Sequence, residues 1–156
     1  MCRSPGRYLP CTHRDGRPTT RRDTDCVATQ QDVRRIVAAL PDTVVATDRF
    51  AVSVRAGAKE KGLAWVWLER VDPKRGRVPN PEVLAIRVTD EGEKWALVAA
   101  DPAIYFTEDH YNGYPAVLVR LPAIGVDELA ELLVDAWRIQ APRRLVTAYD
   151  REHPPG

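Results

Sequence analysis

At 156 residues, the chain suits a single domain able to bury a core without metals or disulfides, and its 44% hydrophobic and 29% charged residues are ordinary for a globular protein. The formal net charge of +1 excludes a strongly polyanionic or polycationic whole. No run approaches the roughly 18 apolar residues of a membrane helix, and the Arg-rich start lacks the apolar stretch of a secretory signal, so a cytoplasmic location without a membrane partner is expected.

Residues 1–28 hold six arginines against three aspartates and no periodic apolar pattern. That composition reads as a disordered extension, or as an arm that touches nucleic acid. Cys2, Cys11 and Cys26 fall here with His13, but the Cys-x8-Cys-x-His-x12-Cys spacing lacks the close ligand pairs of zinc motifs, so neither a metal nor a cofactor is expected. Met1 is the only methionine, and the patterned region begins abruptly near Val27. A non-standard start at Val27, with the preceding residues misassigned, fits the sequence as well as a translated arm does.

From residue 29 the patterning is clear. Thr29, with Asp32 three residues on, opens a helix in the manner of a capping box. Val33, Ile36, Val37 and Leu40 form its apolar stripe, and Pro41 ends it. Strands follow over 43–47 and 49–55, the second with Phe50, Val52 and Val54 on one face. Two more strands are expected over 63–71 and 82–88, joined by hairpin connections at 56–62 and 72–81 that carry Gly, Pro and Asn. Asp90 and Glu93 cap a helix over 90–100, and Asp101–Pro102 restarts a short one. A fifth strand covers 114–121. The helix over 126–141 has the strongest stripe, Leu129, Leu132, Leu133, Ala136 and Trp137, with Pro142 as its stop. Residues 147–156 read as a flexible tail. The order gives an α+β domain over 29–146: an antiparallel sheet of about five strands with the N- and C-terminal helices packed on one face.

The blocks "FAVSVRAGAKEKGLAW", "ERVDPKRGRVPNPEVLAIRV", "EKWALVAADPAIYFTEDHYNGYPAVLVRL" and "ELAELLVDAWRIQAP" occur in the order in which the MmcQ/YjbR family has them. The resemblance runs from about Val33 to about Leu145. One departure is the first hairpin, where the family usually has a tight Gly-Lys pair and this chain reads Gly57-Ala58-Lys59. The resemblance implies a CyaY-like fold, also described as a double wing whose two hairpins grip DNA, and one branch of the family is linked to mitomycin resistance. It implies no established enzymatic activity, and none is expected.

Affinity for a duplex comes mainly from Lys and Arg meeting phosphates. Beyond residue 28 the chain has 17 basic and 19 acidic residues, a poor footprint for a DNA binder. The distribution is uneven, however: residues 49–77 carry eight basic against three acidic residues, and residues 78–156 seven against thirteen. Arg55, Lys59, Lys61, Lys74, Arg75 and Arg77 on the two hairpins are therefore the candidate nucleic-acid contacts, weak and directed at the backbone, since no helix carries the side chains that read bases. The competing reading is that hairpin tips are solvated and that basic edges discourage aggregation.

The segment "YFTEDHYNGY" (105–114) concentrates aromatics around His110. A catalytic histidine needs an orienting partner, and adjacency in sequence does not supply one. The segment is read first as packing between a short helix and the sheet, with Asn112-Gly113 as its turn. A small-molecule site is the alternative. Trp65 and Trp67, two apart, share a strand face; they are either core or a flat platform for a ligand, and core is preferred. Trp95 and Trp137 are both read as core. Two functional classes stand: a DNA-binding module using the hairpin wings, or a small-molecule-binding or resistance protein using Trp65, Trp67, His110 and Tyr111. A protein-interaction adaptor is the third alternative.

Overall fold

The computed structural model describes residues 28–154, so the expectations for the Arg-rich extension, its cysteines and the Val27 start lie outside the described residues. The elements in chain order are α1 (Gln30–Ala38), β1 (Thr43–Val45), β2 (Ala51–Ala56), β3 (Lys59–Glu69), β4 (Val78–Arg87), α2 (Glu91–Ala100), β5 (Tyr105–Phe106), β6 (Ala116–Arg120), α3 (Val126–Gln140) and α4 (Arg143–Glu152). The fold is α+β: the sheet has the order β1-β2-β3-β4-β6-β5 with every pairing antiparallel. No helix among the described residues is long and apolar enough to cross a membrane.

α1 begins as its sequence dictates. The Thr29 hydroxyl accepts from the Asp32 amide while the Asp32 carboxylate accepts from the Thr29 amide, which satisfies two of the donors a helix start leaves open. α1 and α3 lie against one sheet face. There Val33, Ile36 and Val37 of α1 and Leu129, Leu133 and Trp137 of α3 enclose a core with Val52, Val54, Leu84, Ile86, Val117 and Val119. Trp137 is fully buried, and its Nε1–H donates to the Pro41 carbonyl at 2.9 Å.

Two irregularities shape the sheet. The β2–β3 register shifts by one residue after Val52↔Ala64, leaving Leu63 as an extra residue in β3. Such a bulge turns neighbouring side chains toward one face, and Leu63, Ala64 and Val66 all reach the helix-covered core. The β3–β4 register shifts again between Val66 and Trp67, where Pro81, Glu82 and Val83 are extra residues on the β4 side. Trp65 and Trp67 thereby face away from the helices. They are half-buried on the opposite face, beside a smaller cluster of Val83, Ala85, Tyr111, Ala116 and Leu118 with Phe106 against it. The expectation that these two tryptophans belong to the main core is corrected.

Other expectations are corrected too. The sheet has six strands rather than about five, because the segment after Asp101 forms a turn and then an edge strand instead of a helix. The Asp101 side chain accepts from the Ala103 amide, and Tyr105 and Phe106 then pair with Val119 and Leu118 on the open edge of β6. Aromatic residues gain more from that ladder than from one further helical turn. Trp95 is half exposed rather than core. The inward stripe of α2 is Lys94 with Leu97 and Val98 at i, i+3 and i+4, so Trp95 falls one step off it. Residues 147–152 are not a loose tail but the second half of α4. Leu145, Val146 and Tyr149 rest on the core, Tyr149 meets the Trp137 ring at 5.1 Å, and Arg138 pairs with Asp150 at 2.6 Å. Pro142, read only as a stop, also occupies the cap of this new helix.

Candidate functional site

The sheet face away from α1 and α3 carries a cavity of about 460 Å³. Trp65, Trp67, His110 and Tyr111, the four residues singled out for a small-molecule site, all line it. Strand alternation puts the tryptophans on this face and the segment 106–114 folds over it. Trp65 Nε1–H donates to the Tyr111 hydroxyl at 3.1 Å, and Trp67 Nε1–H donates to Glu108 Oε1 at 3.1 Å. The rings meet edge to face: Trp65 with Tyr114 at 6.1 Å, Trp67 with Phe106 at 5.4 Å, and Tyr111 with Tyr114 at 6.4 Å. Each such pair stabilises by about 0.5–1.5 kcal/mol beyond area burial, so the wall is stiff and the indoles are fixed in orientation. The aromatic segment therefore packs and lines a cavity at once.

The turn that closes this wall is held from the far side. Lys94 on α2 is fully buried, the one buried charged residue among those described. Its ammonium donates to the carbonyls of Tyr111 at 2.8 Å and Tyr114 at 2.9 Å, and it pairs with Glu91. A buried charge is tolerated only when paired and hydrogen-bonded, and here the ammonium has two carbonyl acceptors and a carboxylate beside it. That contact holds the Glu91 carboxyl below its ordinary range. Gly113, at φ 78°, lets the chain reverse between the two anchored carbonyls. Burial pushes the Tyr111 phenol above its ordinary range, so the phenol is neutral at physiological pH.

His110 is exposed and its ring meets the edge of Tyr111 at 5.7 Å. Glu108, its near neighbour in sequence, is instead committed to Trp67 and to Arg77, whose Nη1 lies 3.1 Å from Oε1. Arg77 also donates to the Leu68 carbonyl at 2.9 Å. It was grouped with the hairpin cations, yet it lines the cavity.

The other basic candidates lie elsewhere. Arg55, Lys59 and Lys61 are exposed at the β2–β3 tip, with Arg55 opposite Glu60 across the strands. Gly57, at φ 67°, makes this tip tight, with glycine at the first central position as a II′ turn requires. Lys74 and Arg75 are exposed in the β3–β4 connection, where Arg75 Nε lies 3.7 Å from Asp72. The two tips sit at opposite ends of the 11-residue β3, up to about 33 Å apart at roughly 3.3 Å per residue.

Sequence reasoning missed Arg49, Ala51 and Gly62 as cavity-lining residues, whereas Tyr114 belongs to the aromatic segment it singled out. Alternation with Phe50 and Val52 already put Arg49 and Ala51 on the outward face of their strand. What was missing was the register bringing them beside Trp65, and that depends on the bulge at Leu63. Nothing in the sequence marks Lys94.

Over 124 residues the chain is 43% identical to the uncharacterized protein Rv2570 of Mycobacterium tuberculosis, an overlap of 79% of this chain and 96% of that protein. The uncharacterized protein Mb2600 of Mycobacterium bovis matches to the same extent. The chain belongs to the family of these proteins. No protein-family model matches it. Among solved structures, protein DR2400 of Deinococcus radiodurans, a DUF419 domain, aligns with a TM-score of 0.57 at 21% identity, over 81% of this chain and 88% of that one. At that identity the likeness concerns the fold.

Proposed function

We propose that this chain is a non-enzymatic binding protein of the MmcQ/YjbR type, acting in the cytoplasm, and that it takes a small planar ligand in the cavity of its open sheet face. The observation that carries the reading is the convergence of Trp65, Trp67, Tyr111 and Tyr114 on one cavity of about 460 Å³, within the range of small-molecule sites. Their edge-to-face contacts with one another fix the aromatic lining, so little ordering entropy is lost when a planar molecule enters. A binding role rather than catalysis is favoured by Glu108, whose contacts go to Trp67 and Arg77 and not to the His110 ring. Membership of the MmcQ/YjbR type rests on the sequence blocks and accords with the DUF419 fold likeness.

The test is calorimetric titration of the full chain with 2-naphthamide, beside a Gly62→Leu variant. Gly62 lines the cavity, and a Cβ built there comes no nearer than 3.9 Å to the Trp65 ring, so a side chain at this position starts in open space beside that ring. The reading expects saturable one-site binding that the variant loses while keeping its circular dichroism. Absent binding, or binding indifferent to the leucine, defeats it.

A second reading, weak contact with DNA phosphates, is favoured by the exposure of Arg55, Lys59, Lys61, Lys74 and Arg75 at the two tips. It expects duplex binding that falls steeply with salt and is lost on changing Lys59, Lys61, Lys74 and Arg75 to alanine. That set spares Arg77 and hence the cavity. Fluorescence anisotropy at low and physiological salt decides it, and no binding at low salt removes the reading.

A further inference from the structure

Resting on the cavity reading above, we infer that the ligand is an aromatic monoanion, a planar ring bearing one group such as a carboxylate, and that Arg49 receives its charge. Three charged side chains with fixed sign line the cavity: Arg49, Arg77 and Glu108. Arg77 and Glu108 neutralise each other at 3.1 Å. Arg49 is exposed and makes no ion pair or ring contact among the described residues, which leaves the lining with one uncompensated positive charge. Two other arginines of this sheet face are occupied: Arg87 lies 5.3 Å from the Tyr114 ring centroid, and Arg120 lies 4.1 Å from that of Phe106.

The unspent hydrogen-bonding capacity has the same bias. The Tyr111 hydroxyl accepts from Trp65 and the Tyr114 hydroxyl accepts from Arg87, while neither O–H donates to a described acceptor. A guanidinium and two phenol protons thus await an acceptor-rich group. Glu108 Oε1 accepts from Trp67 and Arg77, and through them its charge is drawn away from the cavity rim. A ring lying along the indoles with a carboxylate directed at Arg49 would satisfy both the apolar lining and the free donors. A guanidinium also offers two parallel N–H groups to a carboxylate.

The experiment compares 2-naphthoate with neutral 2-naphthamide by calorimetry on the full chain, its Arg49→Gln variant and its Arg49→Lys variant. The inference expects naphthoate to bind about tenfold more tightly than the amide, the size of one charge-assisted contact at a partly exposed rim. In R49Q the two affinities should converge with amide binding unchanged, and R49K should restore part of the preference. The preference should also shrink with added salt. Equal binding of both compounds to the wild type overturns the inference while leaving the cavity reading in place. A preference that survives R49Q overturns the assignment to Arg49. If neither compound binds, the cavity reading falls, and this inference with it.

Discussion

Replacing Lys94 by methionine removes the ammonium but keeps most of the side chain's volume. Two hydrogen bonds from a buried cation to the Tyr111 and Tyr114 carbonyls disappear, each of a kind that contributes roughly 1.5–3 kcal/mol. The Tyr114 contact is only part-buried, so it belongs at the low end. Burying a thioether in place of an ammonium offsets some of the loss. The Glu91 ion pair adds little to this sum, because that side chain is 38% exposed and the pair is screened by solvent. The net expectation is a destabilisation of about 2–3 kcal/mol, or a fall of about 10 °C in Tm for a domain of this size. Urea denaturation followed by circular dichroism measures it, and hydrogen exchange should show the amides of 112–114 opening first. The sign of the pH dependence adds a second check. Glu91 has a folded pKa depressed below its ordinary 4.5, chiefly by the Lys94 hydrogen bond. Its contribution is therefore present above that ordinary value and is lost as pH falls through the depressed folded one. Wild type should lose stability in that acid window, and K94M should lose less. A K94M protein within about 0.5 kcal/mol of wild type, the range of a neutral surface change, would refute the idea that Lys94 holds the cavity wall.

Further outcomes follow from single contacts. The Tyr111 phenol has a folded pKa raised by burial above its ordinary 10.0, so it favours folding below that value and loses this advantage as pH rises through the folded one; Tyr111→Phe should show a shallower alkaline loss of stability in urea titrations run at successive pH values. Gly57→Ala adds a methyl that touches nothing within 4 Å but must adopt φ 67°, and should cost about 1 kcal/mol by conformation alone; an unchanged urea midpoint would mean the tip relaxes. Trp137→Phe breaks the bond to the Pro41 carbonyl and leaves a void in the main core, for an expected loss of about 2 kcal/mol, read from the same denaturation curves.

Local rules carried well where the chain obeys one period at a time. The Thr29–Asp32 cap, the alternation of Phe50, Val52 and Val54 and the Leu129–Trp137 stripe all lie where sequence reasoning puts them. It fails where placement depends on a partner far along the chain. Trp65 and Trp67 were placed in the main core and lie on the other face, because the bulge at Leu63 and the β4 insertion decide which side they take. β5 exists only because β6 offers a free edge, and α4 forms on a surface that Trp137 helps to build. The four aromatic-site residues were singled out by strand alternation and by their clustering in one segment, as an alternative to a packing role. Their neighbour Arg49 was not, since its relevance comes from register. Lys94 was invisible for a different reason: a lysine in a polar-looking helix normally reads as solvated, and only the two carbonyls it meets reveal it as an anchor.

The central claim is that the open sheet face receives a planar ligand along its fixed indoles. The four tryptophans report on it directly through their indole N–H resonances in a 15N-labelled full chain titrated with 2-naphthamide. Trp65 and Trp67 donate to Tyr111 and Glu108 inside the cavity wall, whereas Trp137 donates to Pro41 in the main core and Trp95 to Glu91 on the surface of α2. The account predicts saturable shifts of the Trp65 and Trp67 signals with those of Trp95 and Trp137 unmoved. Shifts confined to Trp95, or none at all, would contradict it.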